Sequence, residues 1–226
     1  MFSIIVIHEV GHLIAAFYYK YNIEKIHLYP FGGHIKFNEK INKPIKEELI
    51  ILISGPIVQI IYFLIMSTFN YFSLINANTY NLIINYHYTL LFFNLLPIFP
   101  LDGSKLLNLL LSKFISFKKA HLTMIYTSYI VIIACLLSLK HISFGINIYL
   151  LLVLLLIKII SENKNHKMLY NRFLLERYLY DFYFKTIKII KGSKLSKMMR
   201  DKRHLFIINN KKITEKEVLK RRYKSK

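Results

Sequence analysis

His8 and His12 stand four residues apart, with Glu9 beside the first of them, in the stretch His8-Glu9-Val10-Gly11-His12. On a helix that spacing puts both imidazoles on one face, one turn apart, where they can share a metal ion. A bound zinc lowers the pKa of its water towards about 7, and a carboxylate placed like Glu9 can take the proton. The chemistry expected of this set is hydrolysis of a peptide bond. Five matching residues are a modest signal, but their setting strengthens it, because the flanking run from about Phe2 to Tyr19 is otherwise apolar. A single acid in the middle of a membrane helix costs about 2.5–3.5 kcal/mol on insertion scales, so a carboxylate with two imidazoles is seldom kept without a use. The plain alternative is a helix whose polar residues face the interior of a bundle.

Catalytic zinc usually takes three protein ligands and keeps one position open. Asp102 is the candidate for the third, being the only acid between Leu49 and Ser161. It lies in Pro97-Ile98-Phe99-Pro100-Leu101-Asp102-Gly103, where two prolines and a glycine break a hydrophobic segment. Irregular backbone at membrane depth is tolerated where it lines a cavity or is packed in protein. Asp102 could also cap the helix that starts near Gly103. Asn94, eight residues earlier, could steady a substrate carbonyl or its oxyanion, or be a helix–helix hydrogen bond. Ser54-Gly55-Pro56 reads as a close-packing site. His27, His121, His141, His166 and His204 read as residues of loops, turns or the tail, and His87 as a bundle contact. His34 is a weaker candidate near the site.

These residues need helices in a membrane to position them. Hydrophobic residues make up 54% of the 226, against about 45–50% in ordinary globular chains, and they cluster. Five apolar segments can be counted: about Phe2 to Tyr19, Glu48 to Phe69, Leu82 to Leu111, Leu122 to Leu139 and Phe144 to Ile160. The loop from Lys20 to Lys46 carries six Lys and the turn from Lys113 to Lys119 three, whereas Asn70 to Asn81 carries none. Five crossings with the C-terminal tail in the cytosol put every strongly basic loop on the cytosolic side. Lys25 to Tyr29 and His34 to Phe37, around Pro30-Phe31-Gly32-Gly33, read as a short β-hairpin. No basic region precedes the first apolar run, so no cleavable signal is read. Cys135 is the single cysteine, which excludes an intrachain disulfide and a cysteine-rich metal site.

The formal net charge is +20, and the segment from Glu162 to Lys226 holds 20 Lys and Arg against 6 acids, or +14. Behind a hydrophobic body this points to a cytosolic module drawn to anionic lipids rather than to nucleic acid. An amphipathic helix over Leu169 to Phe184, a strand over Leu205 to Ile208 and a helix over Thr214 to Tyr223, with Thr214 and Glu217 forming a capping box, are expected there. The domains expected are therefore a transmembrane metalloprotease domain over 1–161 and a small basic α+β tail over 162–226. The fold class is an all-α polytopic membrane protein, its zinc site between the first and third spans.

The motifs named above, with Asn94-Leu95-Leu96-Pro97, Pro100-Leu101-Asp102-Gly103, Lys119-Ala120-His121 and Arg172-Phe173-Leu174-Leu175-Glu176-Arg177-Tyr178, resemble the site-2 intramembrane metalloproteases. Within these they resemble a branch that acts in bacterial sporulation. The resemblance implies one zinc per chain held by His8, His12 and Asp102, Glu9 as the catalytic base, and Asn94 assisting near the substrate. It further implies a membrane-associated substrate, the precursor of a late sporulation sigma factor, together with membrane-bound inhibitor proteins. The expected setting is the inner membrane of a bacterium, in the mother-cell membrane around the forespore. That branch carries one more helix ahead of the zinc-binding one, Asn where Gln59 stands in many members, Gly where Ser104 stands, and a longer CBS-type tail.

The reading is thus a zinc endopeptidase cutting at or near the cytosolic membrane surface. Two alternatives of other classes remain. One is an inactive relative serving as a membrane scaffold. The other is a metal transporter or sensor, whose ligands would recur along several spans.

Overall fold

The computed structural model describes residues 2–29, 32–138 and 146–224. The chain opens with helix α1 (Phe2–Tyr18), followed by antiparallel strands β1 (Ile23–Tyr29) and β2 (Gly32–Phe37). Tyr29 pairs with Gly32 and Leu28 with Gly33, so the expected hairpin forms. Pro30 and Phe31 of its turn lie outside the described residues, as does His141. Then come α2 (Ile45–Tyr71), α3 (Ala77–Leu95), α4 (Asp102–Phe114), α5 (Phe117–Ser138) and α6 (Ile146–Leu179). The tail completes the order with β3 (Ile187–Lys191), β4 (Arg203–Ile208), β5 (Lys211–Thr214) and α7 (Glu215–Lys224).

Among the described residues three helices, α2, α5 and α6, are long and apolar enough to cross a membrane. Helix α1 is apolar but has 17 residues, about 26 Å at 1.5 Å per residue, slightly short of a hydrocarbon core of about 30 Å. Helix α3 has 19 residues, and Asn78, Asn81, Asn85, His87 and Asn94 dilute its apolar character. Large side chains stay exposed along α2 (Ile50, Ile53, Ile57, Ile61, Leu64) and α6 (Ile146, Leu150, Val153, Ile157). Contiguous exposed aliphatics on this scale mark a surface made for lipid or another apolar partner.

The chain forms two compact units, Met1–Glu39 with Lys46–Leu96 and Leu101–Gly103, and Lys40–Ile45 with Pro97–Pro100 and Ser104–Lys226. In the first, Ile4 and Ile5 of α1 pack with Leu90 of α3, and Ala16 and Tyr21 pack with Ile51 of α2. The third apolar segment is not one helix. It stops at Leu95, and Gly103 at the start of α4 lies so close to the carbonyls of Leu95 and Leu96 that no side chain fits there. This explains why a glycine follows Asp102.

In the second unit, Phe117, Phe173, Leu174, Ile190, Met198, Phe206, Val218 and Leu219 form the core, with Phe117 stacked on Phe173 at 4.5 Å. β3 pairs parallel to β4 and β4 antiparallel to β5. The amphipathic helix expected from Leu169 is the end of α6, which has 34 residues and runs unbroken across residues 161 and 162. The capping box of α7 forms: Glu217 N–H donates to Thr214 Oγ1 at 3.4 Å, and Thr214 N–H to Glu217 Oε2 at 3.3 Å. β3 was not foreseen, because Ile187 and Ile189 face outward and blur its alternation. Three histidines read as loop or tail residues are buried instead: His121 in α5, His166 in α6 and His204 in β4. The length of α6 and the closing of the small sheet bury them, and neither is a local property of the sequence.

Candidate metal centre

His8, Glu9, His12, Asn94 and Asp102 come to one place within the first unit, whereas the side chain of His34 lies outside the described residues. His8 and His12 sit on one face of α1, and both are buried, at 1% and 6% exposure. Their Nε2 atoms lie 3.1 Å apart. Asp102, first residue of α4, brings Oδ2 to 3.0 Å from each. Side chains from α1 and from the start of α4, 94 and 90 residues apart in sequence, thus meet at one point. Asn94, in the last turn of α3, sets Nδ2 3.3 Å from His8 Nε2. Glu9, itself buried, offers a carboxylate oxygen within 4.8 Å of the ligating atoms of both histidines.

The donor set fits zinc. Two imidazole nitrogens and one carboxylate oxygen is a set that catalytic zinc accepts, and tetrahedral ligands at 2.0–2.1 Å from the ion stand about 3.3 Å from one another. The observed 3.0–3.1 Å is close to that spacing. The outer nitrogens support the same reading. His12 Nδ1 lies 2.8 Å from the carbonyl oxygen of Ile51, which can only accept, so His12 carries its proton there and turns the Nε2 lone pair inward. His8 Nδ1 lies 2.8 Å from Gln59 Oε1. Ligating histidines characteristically donate the other N–H to such a partner.

Two glycines make room for this. A Cβ on Gly11 would stand 2.6 Å from the Ser54 carbonyl oxygen, so α1 and α2 approach backbone to backbone. A Cβ on Gly55 would fall on the ring of His12. The sequence marked Ser54-Gly55-Pro56 as a packing motif, and the packing is against a candidate ligand. Gln59 and His87 were not foreseen as neighbours of the site. The available signal was an amide in the apolar middle of α2, where a buried polar group needs a partner.

Peptidase family M50 matches residues 1–83. Stage IV sporulation protein FB of Bacillus subtilis is 38% identical over 177 residues, 77% of this chain and 61% of the relative. A zinc metalloprotease of Methanocaldococcus jannaschii is 40% identical over 120 residues, 50% of this chain and 33% of its own length. The chain therefore spans about three-fifths and one-third of the curated relatives it matches. Among solved structures, the site-2 protease from Methanocaldococcus jannaschii superposes with a TM-score of 0.58 at 31% identity, covering 71% of this chain and 74% of that one.

Proposed function

The chain belongs to the M50, site-2 protease, family of membrane metalloproteases, and on that premise we propose that it is a zinc endopeptidase that cuts a peptide bond at or near the cytosolic membrane surface. The observation that carries the reading is the convergence of His8 Nε2, His12 Nε2 and Asp102 Oδ2 on one point beside buried Glu9. His8, His12 and Asp102 would hold one zinc, which when bound acidifies a water molecule and polarises the scissile carbonyl. Glu9 takes the proton from the attacking water at its carboxylate and passes it to the leaving amine. Asn94 Nδ2, 3.3 Å from His8 Nε2, is placed to donate to the substrate's carbonyl oxygen as negative charge builds on it. The substrate is unwound at the cut, because a helical backbone keeps its own hydrogen bonds closed.

We further propose the finer assignment that the sporulation relative suggests. The substrate is a membrane-associated precursor of a sporulation sigma factor, inhibitor proteins of the membrane restrain the enzyme, and the mother-cell membrane around the forespore houses it. Residues 1–161 form the protease domain, with five crossings. Residues 162–226 form a cytosolic basic tail whose excess positive charge draws it to anionic lipids rather than to nucleic acid.

Co-expression with such a precursor tests the assignment. The parent is expected to cleave it and Glu9→Gln to leave it intact while retaining one zinc per chain. Equal cleavage by both removes Glu9 from the mechanism. A parent that binds zinc but cleaves nothing favours the scaffold instead.

A further inference from the structure

Gln59 and His87 take no part in the chemistry proposed above, yet both are buried polar residues in apolar helices. Gln59 is 0% exposed and His87 3%. A buried amide without good partners is costly, so its hydrogen bonds show what it is for.

The pattern of donors is fixed from one end. The backbone carbonyl of His87 can only accept, and it lies 3.0 Å from Gln59 Nε2. The amide nitrogen of Gln59 must therefore face α3. Its Oε1 then faces the other way, towards His8 Nδ1 at 2.8 Å. An amide oxygen also only accepts, so His8 must carry its proton on Nδ1. The Nε2 lone pair is left pointing at His12 and Asp102. An amide flip and an imidazole tautomer are ordinarily open choices; here a main-chain oxygen that cannot flip decides both. The ring of His87 is a lesser partner. Its Nδ1 is 3.4 Å from the same Gln59 nitrogen, and its face stacks on Phe63 of α2 at 4.3 Å.

We infer that Gln59 is a positioning residue for the metal: it transmits the fixed polarity of the His87 carbonyl to His8, holding that ring in the tautomer and plane in which Nε2 faces the ion. The inference rests on the metalloprotease reading. His12 obtains the same constraint directly from the Ile51 carbonyl, one element fewer. His8, whose hydrogen bonds among the described residues include none to a carbonyl of the main chain, borrows one from α3 through the amide. Ile51, Gly55 and Gln59 follow at intervals of four along one face of α2, so a single stripe orients one ring, makes room for it, and orients the other.

The test uses the full chain in detergent, titrated with Co2+ and followed by its visible ligand-field absorption, with Zn2+ competition against a chromophoric chelator. Loss of such a partner typically costs about 10–100-fold in metal affinity. Gln59→Leu is expected to fall in that range and to shift the cobalt band. Gln59→Glu is expected to recover most of the affinity, because a carboxyl oxygen at the same place accepts from His8 Nδ1–H. His87→Phe keeps the backbone oxygen and the stack on Phe63, and is expected to bind within about twofold of the parent, since the carbonyl rather than the ring carries the constraint. Parent-like affinity and spectrum in Gln59→Leu overturn the inference, as does a loss in His87→Phe equal to that of Gln59→Leu. A parent that takes up neither metal overturns the metalloprotease reading and the inference together; metal uptake by the parent that Gln59→Leu leaves unchanged overturns the inference alone.

Discussion

The imidazole of His12 lies where a side chain on Gly55 would be: a Cβ built there meets three atoms of the ring. The glycine is therefore part of the candidate metal centre although it offers no ligand. Gly55→Ala removes a weak helix former from the interior of α2, which by itself favours the helix by about 1 kcal/mol. It also pushes the ring of His12 off its present position. The expected outcome is a protein with helix content like the parent's and zinc content per chain reduced several-fold. Circular dichroism and elemental analysis on the same sample measure both. Parent-like zinc content would show that the ring has another place to go.

Asp102 Oδ2 is shared by two imidazoles at 3.0 Å, and it is the only acid between Leu49 and Ser161. Asp102→Asn keeps the shape but removes the negative charge, leaving two neutral nitrogens to hold a dication. Zinc affinity is expected to fall by at least about tenfold, with proteolysis lost, since two protein ligands are fewer than catalytic zinc usually takes. Chelator competition on the purified protein gives the affinity. Unchanged affinity would point to Glu9 as the ligand and leave Asp102 as the cap of α4.

His8, Glu9, His12 and Asp102 were legible in the sequence for local reasons. His8 and His12 share a helical face by spacing alone, Glu9 stands next to His8 in the chain, and Asp102 stood out as a lone carboxylate at a broken helix. The hairpin and the cap of α7 were legible for the same reason, since Gly-rich turns and a Thr214–Glu217 pair act over a few residues. The role of Gln59 was not, because its partners lie 51 and 28 residues away on other helices. Nor was the burial of His204, which depends on Glu215 and Met199 closing around a strand. Gly55 was half read: its smallness was plain, but that it faces His12 is a matter of how α1 and α2 pair.

Glu215, the first residue of α7, accepts from the backbone N–H of His204 and from His204 Nδ1, both at 3.0 Å, and from Arg177 Nη1 at 3.4 Å. Arg177 is 3% exposed, and its Nε also donates to Asn42 Oδ1 at 2.6 Å. Removing one partner of a buried ion pair typically costs about 3–5 kcal/mol, because the other charge stays buried. Glu215→Ala is expected near the lower end, since the carbonyls of Met199, Arg200 and Lys202 still accept from the guanidinium. Amide hydrogen exchange across β3 to β5 measures the change. A loss under about 0.5 kcal/mol, the scale of an ordinary surface substitution, would mean that those carbonyls, with the charges of Asp201 and Glu176, hold the guanidinium without Glu215.

His204 gives the tail a pH dependence of definite sign. Its Nε2 accepts from the backbone N–H of Met199 at 3.0 Å, a donor that a protonated ring would oppose. Burial holds its pKa below the ordinary 6.5, against the pull of Glu215 in the other direction. The unfolded ring takes a proton near 6.5 and the folded one only at lower pH, so below 6.5 the unfolded state binds more protons. The contribution of His204 to stability is thus complete above that value and is lost progressively as pH falls beneath it. Exchange protection of the β4 amides, corrected for intrinsic rates, is expected to weaken between pH values of about 7.5 and 5 in the parent. In His204→Gln, where an amide replaces the titrating ring, the slope should flatten even though overall protection drops. His121 and His166 remain in both proteins, so the difference between the two slopes isolates His204. Equal slopes would assign the dependence to those other rings.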